Sequence, residues 1–124
     1  ESLAAAGSML GSGGVIVIDQ SQCMVALLRI LARFYHHESC GQCTPCREGC
    51  GWLEKILDRL ETGNGSTKDV DLLRSVAGNM MGRTICALAD AMAMPAISFV
   101  AKFQEEFEAH AAGRTCSKKT RTGR

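Results

Sequence analysis

The 124-residue chain carries 14 Lys and Arg against 13 Asp and Glu, a formal net charge of +1 at pH 7. That length suits one modest core and excludes a core combined with a dinucleotide-binding sheet and a substrate domain. The charge balance gives no general pull toward nucleic acid or a membrane surface. Seven cysteines without a basic-then-apolar leader argue against a secreted disulfide scaffold and for thiols that bind metal or react. The chain opens Glu1-Ser2-Leu3 without an initiator Met, as expected of a fragment or processed chain.

Residues 1–14, ESLAAAGSMLGSGG, predict turns and irregular backbone, and contain neither GxGxxG nor GxxxxGK[ST]. Val15-Ile16-Val17-Ile18, between Gly14 and Asp19, reads as one buried strand whose partners lie elsewhere, because a single strand makes no sheet. From Ser21 the period becomes helical: Met24, Leu27, Leu28, Leu31 and Tyr35 recur on one stripe, with Asp19 or Ser21 as the cap and an end near His36-His37. After the segment ESCGQCTPCREGC, Pro45 suits the first turn of a second helix with Leu53, Ile56, Leu57 and Leu60 buried, stopped by Gly63. A third helix is expected from about Lys68 to Met81, with Val70, Leu73, Val76 and Met80 inward. A short fourth should cover Thr84 to Met94 and stop at Pro95. A fifth should cover about Ala96 to Ala112, with Phe99, Phe103 and Phe107 four apart, Val100 beside them and Gly113 as a candidate cap.

The fold class is therefore mainly α: a bundle of four to five helices after a short β segment. Residues 20–113 form the helical domain. Residues 114–124, with Arg114, Lys118, Lys119, Arg121 and Arg124, are expected to be a disordered basic tail. The most apolar stretch, Ile85 to Ala101, is interrupted by Asp90 and Pro95 and is too short to span a bilayer, so membrane association would have to come through a partner.

Cys40, Cys43 and Cys46 form C-x2-C-x2-C. A cubane cluster needs four thiolates aimed at four corners of one small body, and one curled loop can supply three of them. Gly41 can take positive φ and let backbone N–H groups approach the sulfurs. Cys23, Cys50 and Cys86 are candidates for the fourth. Cys86, in GRTICALAD between a glycine and a helix, is best placed; Cys50 follows Cys46 on the same helix, Cys23 can be core, and Cys116 falls in the tail. Zinc, which favours separated ligand pairs, remains open, and His36 or His37 could join it. The bland readings of other residues are a helix-dipole role for His36 and His37 and core filling by Met80, Met81, Met92 and Met94. Trp52 is expected to pack or shield, Arg47 and Glu48 to lie at the surface or a subunit contact, and Glu105, Glu106 and Glu108 to form a solvated face.

ESCGQCTPCREG (Glu38 to Gly49) resembles the C-terminal iron–sulfur domain of the NADH-binding flavoprotein (51-kDa) subunit of NADH:quinone oxidoreductase, complex I, and of related diaphorase subunits of NAD-linked hydrogenases and formate dehydrogenases. LAAAGSMLGSGGVIVID and GRTICALADAMAMP extend the resemblance over about residues 1–110. It implies a [4Fe–4S] cluster on Cys40, Cys43, Cys46 and Cys86, in a helical bundle. Residues 1–19 would be the end of an upstream soluble-ligand-binding-type, ubiquitin-like β domain. It implies electron transfer from reduced FMN, bound with NADH in a missing upstream domain, toward further clusters. The implied partners are a 24-kDa-type [2Fe–2S] subunit and the large iron–sulfur subunit, with no nucleic acid. The implied location is peripheral, on the cytoplasmic face of the bacterial inner membrane or the mitochondrial matrix side. Cys50 stands where the family usually has a residue unable to ligate metal, and Ala89 and Met94 replace a glycine and a tryptophan often found after the fourth cysteine.

Overall fold

Leu53, Ile56, Leu57 and Leu60 are buried along one helix, and the rest of the molecule packs around that stripe. In the computed structural model, residues 2–114, Cys116 and Lys118 are described. They form α1 (Ser2–Ala5), α2 (Met24–Glu38), α3 (Thr44–Glu61), α4 (Thr67–Met80), α5 (Leu88–Lys102) and α6 (Gln104–Ala111), with no strand among the described residues. The class is mainly α, as expected. α2 lies along α3, and α4 packs on both α3 and α5. The helices run up and down: Ser39, at the end of α2, meets Cys46 at the start of α3, and Arg59, at the end of α3, pairs with Asp69 at the start of α4. No described helix is long and apolar enough to cross a membrane.

Local chemistry sets most boundaries. Gly63 has φ +77°, and the N–H groups of Gly63 and Asn64 donate to the carbonyls of Leu60 and Arg59 at 3.3 and 2.9 Å. This is a Schellman end, which glycine enters without a Cβ penalty. Gly113 closes α6 in the same way. α4 opens with a capping box: Asp69 Oδ2 accepts from the Ser66 N–H at 2.8 Å and the Ser66 hydroxyl at 3.0 Å.

Several expectations need correction. α2 starts at Met24 and is capped by Cys23, whose Sγ accepts from the Ala26 N–H at 3.5 Å; Asp19 instead folds back on the Ser21 N–H at 2.9 Å. The expected stripe of α2 is there in part, with Met24 and Leu28 buried and Leu31 and Tyr35 packed against the core, and Val25, Ala26 and Ala32 are buried beside it. Residues 2–5 form a turn of helix where only irregular backbone was expected. Pro95 does not stop α5 but lies inside it. Its missing N–H and ring clash ordinarily cost about 3 kcal/mol, and burial of Met92, Ala93, Ala96 and Val100 on either side keeps the helix continuous. The break comes instead at Phe103, so Phe99, Phe103 and Phe107 do not share one inward face: Phe107 is buried and Phe103 is exposed. Met80 and Met92 are core, whereas Met81 and Met94 are exposed. Glu106 is only part-exposed: it accepts from the Met24 N–H at 2.8 Å and from Lys118 at 2.7 Å. In the expected tail, Cys116 packs against the core; most of residues 114–124 lie outside the described residues. Val15, Ile16 and Val17 are exposed, and no strand to pair with them occurs among the described residues.

Two positions test the packing. A Cβ built on Gly49 would lie 2.6 Å from Met80 Cγ and Sδ. Met80 is buried, so it has little room to yield. Gly49→Ala should therefore lower stability by about 1–3 kcal/mol in denaturant titrations, despite the helix-propensity gain of about 1 kcal/mol; an unchanged or higher midpoint would refute this close approach. For Asp69, partial burial raises its pKa, but hydrogen bonds from Arg59 and Ser66 and the Arg59 charge outweigh it and hold the carboxyl below 3.8. Because the folded value is depressed, its contribution is present above 3.8 and lost as pH falls through the folded value. Asp69→Asn should cost about 1 kcal/mol at neutral pH, and the gap from the parent should close in acid at matched iron content. A gap that persists unchanged below that range would show that the charge is not responsible.

Candidate metal centre

The segment between α2 and α3 is shaped by three residues. Ser39 closes α2, its N–H donating to the Tyr35 carbonyl at 3.1 Å. Gly41 turns the chain at φ +80°, with the Arg47 side chain lying against it. Pro45 then starts α3, with Cys43 as N-cap and Cys46 in the first turn. Cys40 is exposed, Cys43 half-buried and Cys46 buried. The thiols therefore border the first turn of α3, where unpaired N–H groups point toward the loop.

The second loop, between α4 and α5, brings Cys86. Gly82 turns at φ +66° and its N–H donates to Asp90 Oδ1 at 2.7 Å. The Thr84 hydroxyl donates to the Cys86 carbonyl at 2.9 Å. The Ile85 N–H donates to Cys43 Sγ at 3.5 Å, so the residue beside Cys86 touches the first loop directly. Ser39 adds a second polar contact to the sulfurs. Its Oγ lies 3.4 Å from the Gly41 N–H and 3.3 Å from Cys46 Sγ. Accepting from Gly41 leaves the hydroxyl proton free to point at a Cys46 thiolate.

Cys50 lies one turn beyond Cys46 and is fully buried. Burial, with Cys46 beside it, pushes its thiol up to about 12, which makes it a poor thiolate ligand. His36 turns toward Glu54, with Nδ1 2.6 Å from Oε2, and Trp52 is half exposed. The donor set fits a [4Fe–4S] cluster: thiols on two loops in direct contact, with the Ile85 N–H donating to Cys43 Sγ and the Ser39 hydroxyl within hydrogen-bond distance of Cys46 Sγ.

Sequence reasoning missed two features. Ser39 is one, and its place at a helix end just before Cys40 is the available signal. The other is a separate group in which Cys23, Glu106, His110 and Cys116 place ligand atoms within 4.8 Å of one another. The i, i+4 spacing of Glu106 and His110, with Cys116 shortly after, could have drawn attention to it.

Comparison with known proteins gives a consistent result. The family described as NADH-ubiquinone oxidoreductase-F iron-sulfur binding region matches residues 26–110. The F 2 subunit of NADH-quinone oxidoreductase from Rhizobium meliloti (strain 1021) is 51% identical over 116 residues, covering 94% of this chain and 28% of that protein. The F subunit of the same enzyme from Mycobacterium bovis is 47% identical over 116 residues, covering 94% and 26%. The chain thus spans about a quarter of the length of these relatives. A crystal structure of an NAD+-reducing [NiFe]-hydrogenase in the air-oxidized state superposes with a TM-score of 0.72 at 27% identity, covering 87% of this chain and 18% of that one. The chain belongs to the NADH-ubiquinone oxidoreductase-F iron–sulfur binding region family, whose cofactor is a [4Fe–4S] cluster.

Proposed function

We propose that Cys40, Cys43, Cys46 and Cys86 hold the [4Fe–4S] cluster, and that the chain is the electron-relay part of an NADH:quinone oxidoreductase flavoprotein subunit. The observation that carries the ligand set is the Ile85 N–H bond to Cys43 Sγ, which joins the two loops that offer these four thiols. When bound, the cluster supplies one-electron chemistry between reduced FMN on an upstream domain, of which residues 1–19 are the end, and the next iron–sulfur centre. The recipients are a 24-kDa-type [2Fe–2S] subunit and the large iron–sulfur subunit, in a complex that the chain joins from the cytoplasmic or matrix side. Identities of 47–51% to oxidoreductase subunits against 27% to the hydrogenase favour the respiratory assignment over a hydrogenase diaphorase.

This chain's own residues position and tune. Gly41 keeps the loop close, since a side chain at φ +80° is strained. Ile85 N–H and Ser39 Oγ–H donate to sulfurs and stabilise the more negative, reduced state. Arg47, against Gly41, adds positive charge beside the loop.

Anaerobic reconstitution should give about four iron and four sulfide per chain, with a reducible EPR signal. Cys86→Ala should lose most of both, and Cys50→Ala should keep them at some expense in stability. Retention by the first and loss by the second would transfer the ligand role to Cys50. Zinc alone, or silence on reduction, would reduce the site to a structural staple. Ser39→Ala should retain the cluster but lower its midpoint potential by about 20–40 mV, the one-electron equivalent of losing about 0.5–1 kcal/mol of preference for the reduced state. A potential that stays put or rises would mean that the hydroxyl does not donate to Cys46.

A further inference from the structure

At the end of the bundle opposite the cysteine loop, α2 begins while α3 and α6 end. Cys23 Sγ, a Glu106 carboxylate oxygen, a His110 ring nitrogen and Cys116 Sγ meet there, all within 4.8 Å of one another. Cys23 and His110 are buried, and Glu106 and Cys116 are half-buried. Cys23 Sγ lies 3.3 Å from His110 Nε2. Sulfur at about 2.3 Å and imidazole nitrogen at about 2.0–2.1 Å from one tetrahedral ion stand about 3.5 Å apart. The pair therefore already has close to the edge length of such a site.

The surroundings orient these atoms as ligands. His110 Nδ1 lies 3.3 Å from the Leu60 carbonyl, which can only accept, so the proton sits on Nδ1 and Nε2 presents its lone pair to the group. A ligating histidine held through its other nitrogen by a backbone carbonyl is the usual arrangement around a protein metal ion. Glu106 and His110 are one turn apart on α6 and project from the same face. Glu106 accepts from the Met24 N–H and from Lys118, and a carboxylate has about four acceptor positions, which leaves room for a cation. Two thiolates and one carboxylate balance a divalent cation together with the Lys118 ammonium. Glu61 borders the group, its Oε2 3.8 Å from His110 Nδ1 and 3.9 Å from Cys23 Sγ.

We propose that Cys23, Glu106, His110 and Cys116 form a closed zinc site, separate from the iron–sulfur loop, that ties the start of α2 to the end of α6. Two sulfurs with one nitrogen and one oxygen suit Zn2+ and not Mg2+ or Ca2+, which prefer oxygen throughout. Convergence on a single point suits one ion and not a cubane, whose thiolates each bind a different iron. Four protein ligands leave no open position, so the site is structural. On binding, the two thiols release their protons to solvent and the sulfur lone pairs bond the metal.

The test is an anaerobic Co2+ titration of the full chain with its iron–sulfur centre in place, followed by Zn2+ competition. It is repeated on Cys40→Ser/Cys86→Ser, Cys116→Ser and His110→Gln. About one Co2+ per chain, with thiolate-to-cobalt charge-transfer absorption displaced by Zn2+, is expected for the parent and for Cys40→Ser/Cys86→Ser. Binding should weaken at least tenfold or so in Cys116→Ser, a conservative change at a half-buried position that keeps the test valid if His110→Gln fails to fold. Zinc should also raise the melting temperature of the parent and not of Cys116→Ser. The proposal is overturned by absence of the signal in the parent, by a signal lost in Cys40→Ser/Cys86→Ser but kept in Cys116→Ser, or by a Cys23–Cys116 disulfide found by mass in the freshly isolated chain.

Discussion

The close approach of α3 to α4 at Gly49 and Met80 sets the geometry of the whole cysteine end. A Cβ at Gly49 would overlap the buried Met80 side chain, which packs into the space that glycine leaves on α3. Cys46 is three residues before Gly49 on α3, and Met80 is the last residue of α4, just before the loop that carries Cys86. The Met80 side chain seated on Gly49 thus ties the first half of α3 to the end of α4, next to the two cysteine-bearing loops. Interiors packed at crystal-like density transmit such a constraint, because neighbours have no free volume in which to absorb a change. The Ile85 N–H bond to Cys43 Sγ joins the same two loops directly.

With the loops placed, electrostatics decides what they can hold. Cys43 caps α3 and Cys46 lies in its first turn, where orphan N–H groups point toward the loop. Cys50, one turn deeper, is fully buried, and its thiol is pushed upward. The same helix therefore carries cysteines of two kinds, separated by a single turn. Spacing alone does not separate them: Cys46 and Cys50 are both close to the loop, but Cys46 lies 3.3 Å from the Ser39 hydroxyl while Cys50 is fully enclosed.

Much of this was legible in the residues. The apolar stripes of α3 and α4, the Schellman glycine at position 63 and the C-x2-C-x2-C loop each follow from short-range rules that tertiary structure leaves intact. Failures occurred where packing overrode a local rule. Pro95 stops helices in isolation, but buried Met92, Ala93, Ala96 and Val100 hold α5 together across it, and the break moved to Phe103. Cys23 was readable as a core residue but not as a cap, because a thiol is a weak acceptor that sequence rules pass over. Cys116 and Glu106 were assigned to tail and solvent from composition, which carries no information about contacts between residue 23 and residues beyond 100. Val15–Ile18 has the composition of a strand, and the described residues offer it no partner.

The bundle has its two cysteine-rich regions at opposite ends, and that separation has a physical consequence. The two loops of the proposed iron–sulfur site lie at the surface, with Cys40 and Cys86 exposed. Loops so exposed contribute little apolar burial and do not hold the helices together by themselves. The core contact of α2 with α3 does so in the middle, but the far end closes with α6, a helix of eight residues, too short to be stable without tertiary support. Buried Phe107 and Ala111 provide part of that support. The Met24 N–H bond to Glu106 and the Leu60 carbonyl beside His110 provide more, and they meet around Cys23 and Cys116. A metal ion at that point would stiffen this closure of the bundle, well away from the loops that carry Cys40, Cys43, Cys46 and Cys86.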